Sequence, residues 1–93
     1  MNHATKMCIH AVVSGKVQGV FFRDSTMKKA QELGLTGWVK NLDDGNVELL
    51  ACGERDVIML FTEWLWEGPD RAEVSNVHWE EIPSEDHHNF SVV

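Results

Sequence analysis

Nine residues near the start of the 93-residue chain, GKVQGVFFR from Gly15 to Arg23, constrain the fold more than any other stretch. An alternating run, CIHAVV at residues 8–13, leads in, with Ile9, Ala11 and Val13 on one face and Cys8, His10 and Val12 on the other. A helix-like run leads out: Phe22, Thr26, Ala30 and Leu33 recur at helical spacing, Lys28 and Lys29 take the outer face, and Gly34 supplies a stop. The stretch is therefore a strand-to-helix junction with two glycines that let the backbone curl. Successive amides in such a curl can converge on one oxyanion, and a helix start adds unpaired donors and a favourable dipole. Arg23 falls in the first helical turn, where its planar fork can grip two phosphate oxygens at once. The spacing is neither a Walker A loop nor a GxGxxG dinucleotide fingerprint. Physics alone leaves two readings open, an anion cup or a plain turn followed by a surface arginine.

The rest of the chain supplies the elements that surround this junction. LTGWVKNL at 35–42 reads as a strand, DDGN at 43–46 as a turn, and VELLACG at 47–53 as the returning strand. In that third strand Val47, Leu49 and Ala51 share one face, and Glu48, Leu50 and Cys52 share the other. Val57, Leu60, Phe61, Trp64 and Leu65 form an apolar stripe at helical spacing, ended by Gly68-Pro69. A fourth strand is expected over 74–82, a polar loop over 84–89, and a short fifth strand in the closing NFSVV. The order strand, helix, strand, strand, helix, strand predicts an α+β, ferredoxin-like α/β sandwich. Its sheet should be mostly antiparallel with both helices on one face, and the first and third strands should be central neighbours. One domain over 6–93 is expected, preceded by an N-terminal tail at 1–5.

Charge narrows the partners. The net charge is −7. Through Asn41 the chain has six basic and two acidic residues, and from Leu42 onward two basic and thirteen acidic ones. An acidic domain is poorly suited to a polyanion, so no nucleic acid is expected. The face turned away from the helices argues the same way, since Cys8, His10, Val12, Glu48, Leu50 and Cys52 offer no aromatic platform for bases. A small anionic substrate fits if the basic portion forms the site. The longest apolar run, VIMLF, is five residues, too short to span a membrane, and MNHATKM lacks the apolar stretch of an export signal. A cytoplasmic monomer is the expectation. The histidines His3, His10, His78, His87 and His88 match no four-ligand spacing, so neither metal nor cofactor is expected.

Two patterns carry a family resemblance. Gly15, Val17, Gln18, Gly19, Val20, Phe22 and Arg23 match G-x-V-Q-G-V-x-F-R, and Gly34, Gly37, Trp38, Val39 and Asn41 match G-x-x-G-[aromatic]-V-x-N. In these the chain resembles the acylphosphatases, from about Lys6 to its last residue. The LDDG turn and the Gly68-Pro69 pair resemble members as well. One departure stands at the end of the sequence, Ser91-Val92-Val93, where many members have a basic or aromatic residue.

The resemblance implies a ferredoxin-like fold and metal-independent hydrolysis of acyl phosphates to a carboxylate and inorganic phosphate. It puts Arg23 on the substrate phosphate and Asn41 on the attacking water. It assigns substrate binding to the loop, namely Gly15, Lys16, Val17, Gln18, Gly19, Val20, Phe21 and Phe22. Lys16 could add charge near the phosphate, or could simply face solvent. A second reading is a noncatalytic phosphate- or ligand-binding module on the same fold. Cys8 and Cys52, the only cysteines, both project from the face away from the helices on strands expected to be antiparallel neighbours. They form either a disulfide or two reduced thiols.

Overall fold

A computed structural model describes residues 5–93 of the chain. Seven elements follow one another: β1 (Lys6–Lys16), α1 (Phe22–Glu32), β2 (Thr36–Asn41), β3 (Val47–Glu54), α2 (Arg55–Glu67), β4 (Glu73–Ile82) and β5 (Phe90–Val92). The strands form one sheet in the order β4-β1-β3-β2-β5, with β2 and β5 parallel and every other neighbouring pair antiparallel. This is the expected α+β, ferredoxin-like sandwich, with β1 and β3 central. Of the expected tail at 1–5, only Thr5 lies within the described residues, and its carbonyl accepts a hydrogen bond from the Arg55 amide at 2.9 Å. His3 lies outside them.

Alternation in the central strands divides the sheet into two faces. Ile9, Ala11 and Val13 of β1 and Val47, Leu49 and Ala51 of β3 are fully buried, and pack with Phe22 and Ala30 of α1 and Ile58, Phe61 and Leu65 of α2. Phe22 and Phe61 each lie near Trp64, at centroid distances of 6.1 and 6.3 Å, so the first residue of α1 is anchored against α2.

Several element boundaries differ from the expectation. β1 runs past residue 13 to Lys16, because Ser14, Gly15 and Lys16 still pair with β4 although they no longer face the core. The register shifts between Ser14 and Gly15, and a Cβ on Gly15 would lie 2.2 Å from the Glu73 carbonyl oxygen. Only glycine fits there, at φ 121°. The buried face of α2 is also turned from the expected stripe. Ile58, Phe61, Thr62 and Leu65 are buried, Val57 and Trp64 are half-buried, and Leu60 is 56% exposed.

The other face is not bare. β4 and β5 occupy opposite edges, so residues 83–89 must cross the sheet to connect them. The crossing segment covers Cys8, whose sulfur lies 3.3 Å from the Glu85 amide nitrogen, and Cys8 is fully buried as a result. Cys8 and Cys52 sit directly opposite in the β1–β3 register and are joined as a disulfide with a sequence separation of 44. In the chain-entropy account, closing a loop of that size stabilises the fold by about 4 kcal/mol.

Beside the disulfide, Glu48 accepts a hydrogen bond from the His10 ring at 2.7 Å and pairs with Lys40 at 3.4 Å. The His10 hydrogen bond holds the Glu48 carboxyl below its ordinary value of 4.5; burial acts in the opposite sense, and Lys40 reinforces the lowering. A carboxyl depressed by folding contributes stability above its unfolded value and loses it as pH falls through the folded one. Urea unfolding between pH 7 and pH 3 should therefore show a shallower acid decline for Glu48→Gln than for the parent, by less than about 1 kcal/mol. Parallel declines would show that this pair contributes nothing.

Candidate active site

The junction between β1 and α1 has to satisfy two fixed ends. Gly15 is pressed against β4, and Phe22 is 1% exposed in the core. Between them Gly19 and Phe21 both adopt left-handed backbone, at φ 75° and 62°. Left-handed residues alternating with ordinary ones turn successive amides toward one side of the chain. Phe21 is the residue at the N-cap position of α1 and makes no side-chain cap. The first helical hydrogen bond runs from the Ser25 amide to the Phe21 carbonyl at 3.0 Å. The amides of Phe22, Arg23 and Asp24 therefore have no intrahelical acceptor.

These donors open onto a cleft of about 590 Å³. Its polar lining comes from Gln18, Gly19, Arg23, Asp24 and Asn41, and its apolar lining from Val17, Phe21, Phe22, Met27 and Val92. Arg23 and Asn41 thus meet at one cleft, eighteen residues apart in sequence and on different elements. The Arg23 guanidinium donates to the main-chain oxygen of Val93 at 3.3 Å. Asn41 ends β2, and its Oδ1 is buried with no hydrogen-bond partner among the described residues. A buried carbonyl oxygen left unpaired is costly unless a ligand or water completes it.

Gln18 joins the two halves. Its Nε2 donates to the Leu42 carbonyl at 2.8 Å and to the Asn46 carbonyl at 2.9 Å. Leu42 follows Asn41 directly, and the Leu42 amide donates to the same Asn46 carbonyl at 2.8 Å. The side chain of the loop therefore holds the β2–β3 turn next to Asn41.

Of the expected binding residues, Val17, Gln18, Gly19, Phe21 and Phe22 line the cleft with Arg23 and Asn41. Gly15 and Lys16 are instead the last residues of β1, paired with β4, and Val20 is buried beneath the loop. The sequence reading missed Asp24, Met27 and Val92. Met27 lies one turn beyond Arg23 on α1, a spacing that could have revealed it. Val92 carried no such signal, because its place depends on parallel pairing of β5 with β2. Among the described residues, no three His, Cys, Asp or Glu side chains gather as a metal-binding group.

Fold and cleft together define a ferredoxin-like α+β domain with a cleft of unpaired amides and one arginine where its first strand meets its first helix. A family model described as acylphosphatase matches residues 9–92. A curated acylphosphatase of Coxiella burnetii (strain Dugway 5J108-111) is 73% identical over 85 residues, covering 91% of this chain and 90% of the relative. Among solved structures, an acylphosphatase from Coxiella burnetii superposes with a TM-score of 0.92 at 69% identity, covering 95% of this chain and 93% of that one. An acylphosphatase from Bacillus subtilis gives 0.91 at 40% identity, covering 94% and 98%. The chain belongs to the acylphosphatase family.

The Gln18 contacts generate a test. Gln18→Glu keeps the side chain's shape but removes both N–H donors, leaving a carboxylate against two carbonyl oxygens. Turnover should fall at least tenfold, while urea unfolding shows a loss of roughly 1–3 kcal/mol. Turnover equal to the parent's would show that the stitch does not position Asn41.

Proposed function

We propose that this acylphosphatase hydrolyses its substrate by in-line attack of water on phosphorus, with Arg23 and the loop amides on the phosphate and Asn41 on the water. The observation that carries the roles is that Arg23 and Asn41 line one cleft although they stand on different elements. A carboxamide beside the phosphate can hold a water by a hydrogen bond and leave a water lone pair free for phosphorus.

Phosphoryl transfer asks a protein mainly for positioning and for stabilisation of charge on the equatorial oxygens. Arg23 can engage two of those oxygens, and the amides of the curled loop the third. Binding phosphate there requires the guanidinium to turn from the Val93 oxygen it meets in the free protein. The water oxygen forms the new bond to phosphorus, the bond from phosphorus to the acyl oxygen breaks, and the carboxylate departs with the bonding pair. The water's protons pass to the phosphate and to solvent.

Asn41 cannot act as a general base, because a carboxamide does not titrate in a useful range. The site is thus suited to a leaving group that needs no proton. A carboxylate meets that requirement and the alkoxide of a phosphate monoester does not, which restricts the reaction to acyl phosphates. The noncatalytic alternative has less support, since the relatives named acylphosphatase match along nine-tenths of their own length.

The test is release of inorganic phosphate from an acyl phosphate in the presence of a chelator. The parent should remain fully active, and Arg23→Ala and Asn41→Ala should each lose on the order of a hundredfold or more in kcat. Arg23→Ala should also bind inorganic phosphate more weakly as a competitive inhibitor. Release that requires added divalent metal, or variants that keep most of the parent's kcat, would overturn the assignment.

A further inference from the structure

Asp24 lines the cleft but takes no part in the proposed chemistry, and its position in α1 makes it a hazard there. With Phe21 at the N-cap, the first two helical positions are Phe22 and Arg23, and Asp24 is the third. An acidic side chain at that third position is placed to reach back to the N-cap amide. Here that amide belongs to Phe21, in the loop assigned to the phosphate. The carboxylate also stands next in sequence to Arg23, the one cation lining the cleft. A free Asp24 side chain would thus have two partners, and a bound phosphate needs both. The first turn of a helix favours negative charge, which adds to the pull.

Asp24 is held elsewhere. Its Oδ2 lies 3.1 Å from Lys28 Nζ, one turn further along α1, and the helix start carries no side-chain cap. Lys28 is exposed and is not among the residues that line the cleft. Opposite charges four residues apart on a helix are ordinary neighbours, and a pair so open to solvent adds little stability. What distinguishes this pair is the direction in which it turns the carboxylate, toward the next helical turn and away from the open amides. The adjacent Lys29 is not available for the task, since it pairs with Glu32 at 3.3 Å.

We propose that the Asp24–Lys28 pair is a latch on the phosphate site: Lys28 is a positioning residue that keeps the Asp24 carboxylate from competing with phosphate for the Phe21 amide and the Arg23 guanidinium. The inference rests on the assignment of phosphate to the loop and Arg23, and adds what sets the affinity there. Substrate and product share the phosphoryl group, so an internal competitor opposes both alike. Its release raises KM and the inhibition constant of inorganic phosphate together. It leaves kcat in place, because a bound phosphoryl group has already displaced the carboxylate.

The experiment measures KM for acetyl phosphate, kcat, and the inhibition constant of inorganic phosphate. Lys28→Gln should raise KM and the inhibition constant by roughly two- to fivefold, the size of an exposed pair, with kcat little changed. Lys28→Arg keeps the pair and should restore the parent's values. Asp24→Asn removes the competitor and should lower both constants below the parent's. The double variant decides the mechanism. It should match Asp24→Asn alone, because Lys28 then has nothing left to hold. An equal rise on Lys28→Gln in the Asp24→Asn background would make the lysine only a distant positive charge and overturn the latch. Unchanged constants in Lys28→Gln would overturn it as well. Either result, with the parent still inhibited by phosphate, leaves the hydrolase reading intact. A parent that inorganic phosphate does not inhibit would remove the phosphate site and the latch together.

Discussion

Burial of Phe22 is the constraint on which the site depends. With its ring held between Trp64 and the Gly68 turn, the start of α1 is fixed in the core. The other end of the junction is fixed by Gly15, whose missing side chain lets β1 press on the backbone of β4. The residues between these points cannot run straight. They curl through left-handed Gly19 and Phe21, and the curl leaves amides and the Arg23 side chain on the open side of the chain. This curl of donors is what remains when a buried phenylalanine and a crowded glycine are joined by so short a segment.

A cup of donors binds phosphate but does not hydrolyse it. In the proposed mechanism Asn41 brings the second half of the chemistry, and Gln18 ties the loop to the turn beside it by donating to the Leu42 and Asn46 carbonyls. One polar side chain thus couples the loop to the β2–β3 hairpin. An unpaired acceptor on Asn41 and a strained Phe21 both belong to residues of the cleft, while a second unpaired oxygen, Thr26 Oγ1, is buried in α1 away from it.

What could be read from the sequence depended on how sharply each feature contrasts with its surroundings. The faces of β1 and β3 could be read although alternation there is weak, because His10 and Glu48 mark the face away from the helices, and the antiparallel register sets Cys8 opposite Cys52 on that face. The face of α2 was misplaced for lack of contrast, since VIMLF is apolar at five consecutive positions and periodicity cannot choose between Ile58 and Leu60. The end of β1 was missed because Ser14 to Lys16 are held by the ladder to β4 and not by the core. Arg23 and Asn41 were singled out through motif resemblance, and both line the cleft. No local pattern marked the carbonyls that Gln18 would hold, the pairing that carries Val92 to the cleft, or the crossing of 83–89 over the disulfide. Each of these is a contact between distant parts of the chain.

The central claim is that water attacks phosphorus, oriented by Asn41 while Arg23 and the loop hold the phosphate. Hydrolysis of benzoyl phosphate in 18O-labelled water, with both products analysed by mass spectrometry, tests it most directly. The account predicts the label in inorganic phosphate and none in benzoate. Label in benzoate would place the attack on the carbonyl carbon and contradict the account.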